Sequence, residues 1–264
     1  MLKRIPMLRF AVNIAWLFEE LPFLERFRAA REAGFTAVEF RSPYEHAPED
    51  IARALRDNGQ RCILFNLPMG DRAKGDFGLA CRPGRESEFR ESVARAIEYA
   101  RVLQVPRVNC IAGLVHPGED RAELERTLVE NVRYAAGALA QAGVELLMEP
   151  VNTVDTPGYI APRCTDVERM IERVASPAFA LQFDLYHAAM MGDDLAVTFD
   201  TVRRHIRHIQ FADAPGRGEP GTGKSPLAAM FARIASSDYR GFVSAEYRPT
   251  RETTRTLGWM RATS

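Results

Sequence analysis

Carboxylate and amide side chains close four short apolar runs in the second half of the chain. Glu149 ends the run LLME, Asp184 ends LQFD, Glu246 ends VSAE, and HIQFAD carries Gln210 and Asp213. Successive members lie about one strand–helix unit apart, so the strands of one sheet would bring them to the same edge. Three carboxylates and the amide oxygen of Gln210 form an all-oxygen cage, which favours a hard divalent ion such as Mg²⁺ or Mn²⁺.

A single acidic residue at a strand end has ordinary structural uses, as a helix N-cap or as the partner of an arginine. Four such ends in register are harder to explain in this way, because unpaired buried carboxylates repel one another and are costly to desolvate. The pattern therefore predicts a metal site at the ends of these strands.

Two further residues are candidates for contact with a substrate. His187 follows Asp184 by three residues in FDLYH, where it is predicted to donate a hydrogen bond to a substrate oxygen. Arg217 lies in the loop after the seventh run and is predicted to supply a local cation for an anionic substrate. The alternative roles, a structural histidine and a solvated arginine, stay open at this point.

An alternation of short apolar runs with amphipathic stretches must position these residues. The runs cover residues 8–14, 36–40, 62–66, 107–111, 144–148, 180–184, 208–211 and 242–246, and helices are predicted over 22–33, 86–103 and 120–142. Eight strands that alternate with helices predict parallel pairing and closure into a (β/α)8 TIM barrel, one domain over residues 1–264. An open doubly wound sheet would usually carry a glycine-rich turn after its first strand, where this chain has Asn-Ile-Ala-Trp.

Composition limits the partners. Lys plus Arg and Asp plus Glu both number 35, so no net charge recruits nucleic acid or anionic lipid, and an anionic small molecule must be held by local cations. The four cysteines lie far apart in the sequence, and this spacing predicts buried free thiols in a protein of a reducing compartment. The sequence contains no run of about 20 apolar residues, so no membrane span is predicted. Residues 1–16 are too interrupted for a signal peptide, so a cytoplasmic protein is expected, with homo-oligomer formation left open.

Residues 218–225 read GEPGTGKS and match the Walker A pattern at every position. A phosphate-binding loop needs a strand that ends at its first glycine and a helix that begins after its lysine. Here the seventh strand is expected to end near Ala212, and Pro226 follows the match directly. We therefore interpret this Walker-like loop as a rim loop of the barrel and expect no nucleotide binding.

The chain resembles the hydroxypyruvate isomerase family, within the xylose-isomerase-like TIM barrels. The stretches that carry the resemblance are FNLPMGD at 65–71, PGRESEFR at 83–90, LVENVRYAA at 128–136, MEPVN and DTPGY within 148–159, FDLYH at 183–187, HIQFADAPGRGEPGTG at 208–223 and SAEYRP at 244–249. They occur in one order over nearly the whole chain. The resemblance implies an acid/base pair, Glu149 and Glu246. It also implies a divalent metal, Mg²⁺ or Mn²⁺, surrounded by Glu149, Asp184, Gln210 and Glu246, with two residues in contact with substrate oxygens: His187 and Arg217.

Three stretches depart from the family's usual pattern. Lys224, Ser225 and Pro226 stand where the family usually has Glu-Ile-Asn, which creates the Walker-like match. Arg41 and Ser42 stand where the family usually has two apolar residues, and Arg72 replaces a tryptophan. These changes leave the four cage residues intact and bear on the choice of substrate.

The resemblance implies the interconversion of hydroxypyruvate and tartronate semialdehyde, by proton transfer through an enediolate or by a hydride shift. The same residues would suit a longer 2-oxo acid such as 2-oxotetronate. A ketose 3-epimerase usually has histidine where Gln210 stands, and a multi-zinc endonuclease needs more ligands than five histidines supply. A nucleotide-dependent switch depends on the Walker-like loop alone. A sugar-acid binding protein would need the pocket but not two glutamates.

Overall fold

The eight apolar runs form the strands of a closed parallel barrel. In the computed structural model, which describes residues 8–262, each strand pairs with the next and the last pairs with the first. The strands are β1 (Arg9–Asn13), β2 (Ala37–Glu39), β3 (Arg61–Asn66), β4 (Arg107–Cys110), β5 (Glu145–Met148), β6 (Phe179–Asp184), β7 (Ile206–Phe211) and β8 (Phe242–Ala245). The predicted (β/α)8 barrel is confirmed. Residues 1–7, 263 and 264 of the expected domain, and so the start of the N-terminal stretch 1–16, lie outside the described residues.

Helices follow the strands around the outside of the barrel. They are α1 (Phe23–Glu32), α2 (Pro48–Asp57), α3 (Glu86–Leu103), α4 (Arg121–Gln141), α5 (Cys164–Val174), α6 (Leu185–Met190), α7 (Leu195–Val202), α8 (Leu227–Ser236) and α9 (Trp259–Ala262). The three helices predicted from periodicity correspond to α1, α3 and α4. The side chain of Asp120 caps α4 by accepting a hydrogen bond from the N–H of Ala122. Gly34, with a φ of 98°, provides the left-handed residue that follows α1.

The cysteines behave as small core residues. Cys62, Cys81, Cys110 and Cys164 are all buried and free, as predicted, and burial raises the pKa of each thiol. Within residues 8–262, no helix combines the length and the apolar character needed to cross a bilayer.

A buried polar network joins three strands inside the barrel. Glu39, at the end of β2, is fully buried, and its Oε1 accepts hydrogen bonds from Nδ2 of Asn13 at 3.2 Å and Nε2 of Gln210 at 2.6 Å. Its Oε2 lies 2.6 Å from Nε2 of His208 on β7. Because buried polar groups need polar partners, these contacts tie β1, β2 and β7 together near their carboxyl ends.

The Walker-like loop is organised around Asp213. The carboxylate of Asp213 accepts hydrogen bonds from the backbone N–H groups of Gly221 at 2.8 Å and Ser225 at 2.9 Å. The N–H of Lys224 donates to the carbonyl oxygen of Ala214 at 2.6 Å. These backbone donors are already satisfied within the chain, so they do not form a cradle for phosphate.

The contact between Glu39 and His208 should contribute to stability. We expect His208→Leu to lower the free energy of unfolding by roughly 1–3 kcal/mol, because it removes the ring nitrogen that lies 2.6 Å from the buried Oε2 of Glu39. Urea denaturation followed by circular dichroism measures the loss. The double variant Glu39→Gln/His208→Leu replaces the carboxyl group with a neutral amide and should recover part of it. A loss below about 0.5 kcal/mol in His208→Leu would show that the contact does not stabilise the barrel.

The Walker-like loop should not bind nucleotides. We expect calorimetry with Mg-ATP and Mg-GTP to show no saturable binding, because the loop amides are engaged and α8 begins only after Pro226. Lys224→Glu should keep the circular dichroism spectrum of the wild type and change activity only modestly. Micromolar binding that disappears in Lys224→Ala would overturn this interpretation.

Candidate active site

A cavity of about 440 Å³ opens at the carboxyl ends of the barrel strands. Five of the six predicted site residues line this rim cavity: Glu149, His187, Gln210, Arg217 and Glu246. The sixth, Asp184, closes β6 and contacts two of them. Active sites of α/β barrels lie at this end, where the loops that follow several strands meet. The structure brings all six residues to this one end of the barrel.

Asp184 combines a structural contact with a contact in the site. Its Oδ1 caps α6 by accepting a hydrogen bond from the N–H of Tyr186 at 2.8 Å. Its Oδ2 lies 3.3 Å from Nη2 of Arg217 and 3.6 Å from Nε2 of His187. The cap fixes the carboxylate in orientation, so one oxygen is held toward the other site residues.

Arg217 lies inside the site and not on the surface of its loop. Its guanidinium pairs with the carboxylates of Glu246 and Asp184 and packs on the rings of Trp16 and Tyr186, with Cζ 4.8 and 4.6 Å from their centroids. Burial acts to lower the pKa of Arg217, but the neighbouring carboxylates outweigh this and raise it. The residue is 7% exposed, so the surface arginine considered as an alternative is replaced by a buried cation.

Both ring nitrogens of His187 lie against nitrogen donors. Nδ1 lies 3.2 Å from the backbone N of Asn152, and Nε2 lies 3.0 Å from Nη1 of Arg217. A backbone N–H and a guanidinium can only donate, and a neutral imidazole has one acceptor nitrogen, so only one of the two contacts can be a hydrogen bond. Burial, assisted by the charge of Arg217, holds the pKa of His187 well below its usual value. Nε2 also lies 3.6 Å from Oε1 of Glu149, so this edge of the ring faces the carboxylates of the site.

Three buried carboxylates share the site with one arginine. Burial raises the pKa of Glu149 well above its ordinary value, and repulsion from Glu246 and Asp184 raises it further. Burial raises the pKa of Glu246 to about 8, although the charge of Arg217 opposes the shift. A single guanidinium leaves an excess of buried negative charge, which favours the uptake of a proton or a cation.

A metal ion fits this excess charge. Glu149, Asp184 and His187 each offer a ligand atom, and these atoms lie within 4.8 Å of one another. Oε1 of Glu149 is buried and accepts no hydrogen bond from the described part of the chain. An orphaned carboxylate oxygen beside a second carboxylate is a suitable environment for a divalent cation. The carboxylates of Glu149 and Asp184 would supply oxygen ligands, and the ring of His187 lies beside them.

The polar atoms of Gln210 bond within the barrel. Its Oε1 accepts a hydrogen bond from Nε2 of Gln182, and its Nε2 donates to Glu39. The amide lies at the cavity on the strand beside Asp184, but its hydrogen bonds go to Gln182 and Glu39, so its role at a metal stays a prediction. Asp213, which follows the same strand, accepts hydrogen bonds from the Walker-like loop and does not line the cavity.

Sequence analysis missed four polar residues that support the site: Asn13, Glu39, Asn109 and Asn152. Asn13 donates to Oε1 of Glu246 at 2.8 Å, and Asn109 donates to Oε2 of Glu149 at 3.4 Å. Each of the four closes a strand or lies within a few residues of a strand end. The signal that could have found them is a polar residue at or near the end of an apolar run. The same signal indicated Glu149, Asp184 and Glu246.

Comparisons with known proteins agree with this geometry. A sequence model of the xylose isomerase-like TIM barrel family matches residues 27–263. The hydroxypyruvate isomerase of Escherichia coli (strain K12) is 42% identical over 254 residues, which cover 96% of this chain and 98% of that protein. The 2-oxo-tetronate isomerase of Cupriavidus necator is 41% identical and covers 96% of this chain and 97% of its own.

A solved structure extends the likeness to the whole fold. The crystal structure described as an AP endonuclease, family 2, from Brucella melitensis superposes with a TM-score of 0.94 at 41% sequence identity, covering 97% of this chain and 99% of that chain. The full-length matches confirm the resemblance found in the sequence motifs. The chain belongs to the xylose isomerase-like TIM barrel family.

Proposed function

We propose that this protein is a metal-assisted isomerase of short 2-oxo and hydroxy acids that interconverts hydroxypyruvate and tartronate semialdehyde. The observation that carries the proposal is the presence of two buried glutamates, Glu149 and Glu246, with raised pKa values on one cavity. Relatives named hydroxypyruvate isomerase and 2-oxo-tetronate isomerase match the chain over nearly its full length and support it.

The chemistry of this isomerisation needs two proton movements. One proton leaves the hydroxymethyl carbon and one arrives at the neighbouring carbonyl carbon, while a hydroxyl proton moves between the two oxygens. We infer that one of Glu149 and Glu246 removes the C–H proton, which gives an enediolate, and that the other returns a proton to the adjacent carbon. Carboxyl groups with raised pKa values suit this work, because they accept and release protons near neutral pH.

The remaining site residues position the substrate and balance its charge. We infer that the ring of His187 contacts a substrate oxygen, and Arg217 offsets the negative charge of Asp184 and Glu246. All four side chains are at least nine-tenths buried, so bulk water is kept from the enediolate.

We infer that Glu149 and Asp184 hold Mg²⁺ or Mn²⁺, since oxygen ligands favour these ions. Gln210 and Glu246 would complete the cage predicted from the sequence. When bound, the ion would polarise the substrate carbonyl and stabilise the negative charge that develops on its oxygen.

A four-carbon acid is the second candidate substrate. The rim cavity of about 440 Å³ has the size of pockets that hold much larger ligands than a three-carbon acid. One relative named 2-oxo-tetronate isomerase is 41% identical to the chain, close to the 42% of the hydroxypyruvate isomerase of Escherichia coli. The same glutamates would serve both substrates, so the substrate panel described below separates them.

Nucleic acid is a poor candidate, although one structural relative is described as an AP endonuclease. The chain has no net charge and five histidines, and within residues 8–262 a single group of three possible metal ligands was found. Phosphate backbones are bound through clustered cationic residues, and multi-zinc sites need several more ligands. We therefore propose a small anionic substrate as the partner.

The substrate panel tests the proposed reaction. The protein is incubated in D₂O with hydroxypyruvate, 2-oxotetronate or D-fructose, each with Mn²⁺, Mg²⁺ or EDTA, and proton NMR follows deuterium incorporation and product. We expect isomerisation of an acid, loss of activity in EDTA and recovery with Mn²⁺ or Mg²⁺. Turnover of fructose alone would identify an epimerase instead, and turnover of no substrate would refute the proposal.

The acid/base roles predict severe loss in two variants. Glu149→Gln and Glu246→Gln should each lower kcat by about 10²-fold or more, because a positioned acid or base contributes about 10²–10⁴-fold. Circular dichroism and thermal melting check that each variant folds. Glu219→Gln provides a matched control, because Glu219 is a buried rim glutamate that bonds Thr250 and does not line the cavity. A site variant that retained more than about a tenth of wild-type kcat would contradict its assigned role.

A further inference from the structure

Trp16 lies on the wall of the rim cavity, and three arginines pack against its indole ring. Cζ of Arg217, Arg41 and Arg248 lies 4.8, 4.9 and 5.1 Å from the ring centroid. All four residues line the cavity. A guanidinium stacked on an aromatic face is held in place while the N–H groups at its edge stay able to bind an anion.

The barrel fixes two of these arginines on either side of the tryptophan. Trp16 follows β1, Arg41 follows β2 and Arg248 follows β8, and β1 pairs with both of those strands. The N–H of Arg248 donates to the carbonyl oxygen of Arg217 at 2.7 Å, and the carbonyl oxygen of Arg41 accepts from the N–H of Asn66 at 3.0 Å. The backbones that carry the two side chains are therefore anchored.

The three arginines differ in what they bind. The Nη atoms of Arg217 are engaged by Asp184, Glu246 and His187 inside the site. Arg41 and Arg248 are exposed at the rim, and within residues 8–262 their guanidinium groups have no carboxylate partner and donate no hydrogen bond. Arg72, which lines the same cavity and packs on Phe77, also has no carboxylate partner among residues 8–262. Three unpaired guanidiniums on one cavity of an uncharged chain form a local positive region, and two of them share the ring of Trp16.

We propose that Arg41 and Arg248, stacked on Trp16, bind the carboxylate of the substrate. The inference rests on the proposed function, which supplies an acid as the substrate. It assigns the carboxylate to the rim and leaves Arg217 to balance Asp184 and Glu246 inside the site. The 2-oxo and hydroxyl oxygens of the bound acid would then point from the rim toward His187 and Glu149.

Calorimetry with a non-reacting acid tests this subsite directly. D-glycerate carries the carboxylate and hydroxyl groups of the substrate without its carbonyl, and glyceramide is its neutral counterpart. We expect Arg41→Ala and Arg248→Ala each to weaken D-glycerate binding about tenfold or more, since a charge-assisted hydrogen bond is lost. Glyceramide binding should change little, so the preference for the acid over the amide should fall.

Two more variants make the test specific. Arg41→Lys keeps the charge but loses the planar fork, so it should bind D-glycerate with an affinity between those of the wild type and Arg41→Ala. Arg90→Ala is the matched control: Arg90 also stacks on an aromatic ring, with Cζ 4.9 Å from the centroid of Tyr134, but lies on α3 and does not line the cavity. It should bind both probes as the wild type does.

The outcomes separate this inference from the proposed function. Wild-type affinity for D-glycerate in both alanine variants, or an equal loss for glyceramide, would overturn the subsite. Absence of D-glycerate binding by the wild-type protein would overturn it as well. Arginine-dependent D-glycerate binding by a protein that does not isomerise hydroxypyruvate would support the subsite and refute the activity.

Discussion

The energetic problem at the centre of this protein is an imbalance of buried charge. Glu149, Asp184 and Glu246 are removed from water at one end of the barrel, and Arg217 is the cation that accompanies them. Desolvation of ions costs more than a single pairing returns, so the remaining negative charge must be met by protons or by a metal ion. The raised pKa values of the two glutamates are a direct consequence of this imbalance. A site that is unfavourable when empty is thereby prepared for proton transfer.

The barrel supports this imbalance through polar contacts below and beside the carboxylates. Asn13 donates to Glu246 and to Glu39, so a catalytic candidate on β8 and a buried acid on β2 share one donor on β1. Gln210 and His208 then connect Glu39 to β7. Closure of the sheet makes such contacts possible, because strands that are distant in sequence become neighbours. Stability and orientation of the site therefore depend on the same buried groups.

The sequence predicted those features that repeat along the chain. Apolar runs and amphipathic stretches have a period, so the order of strands and the acids at their ends could be found, and Glu149, Asp184 and Glu246 lie together as expected. The inward position of Arg217 could not be predicted from periodicity, because Arg217 lies in a loop. Its position depends on the path of the backbone there, which has a positive φ of 56° at Arg217. Glu39 was missed because its partners come from strands far away in the sequence, and only the register of the closed sheet brings them together.

The arginines at this end of the barrel differ in their partners because their surroundings differ. Arg217 is buried among carboxylates, which raise its pKa and accept its hydrogen bonds, so its charge is balanced within the protein. Arg41 and Arg248 stack on the same tryptophan but remain at the rim, where no acid of the described chain neutralises them. Arg41 even acts on the site from there, since its charge opposes the burial that raises the pKa of Glu246. A chain with no net charge thus keeps opposite charges apart over a short distance: anions inside the site, and unpaired cations at its entrance. Under the proposed function, the rim would attract the carboxylate of an acid while the other oxygens of the acid enter the cavity, so this order of charges would favour one orientation of the substrate.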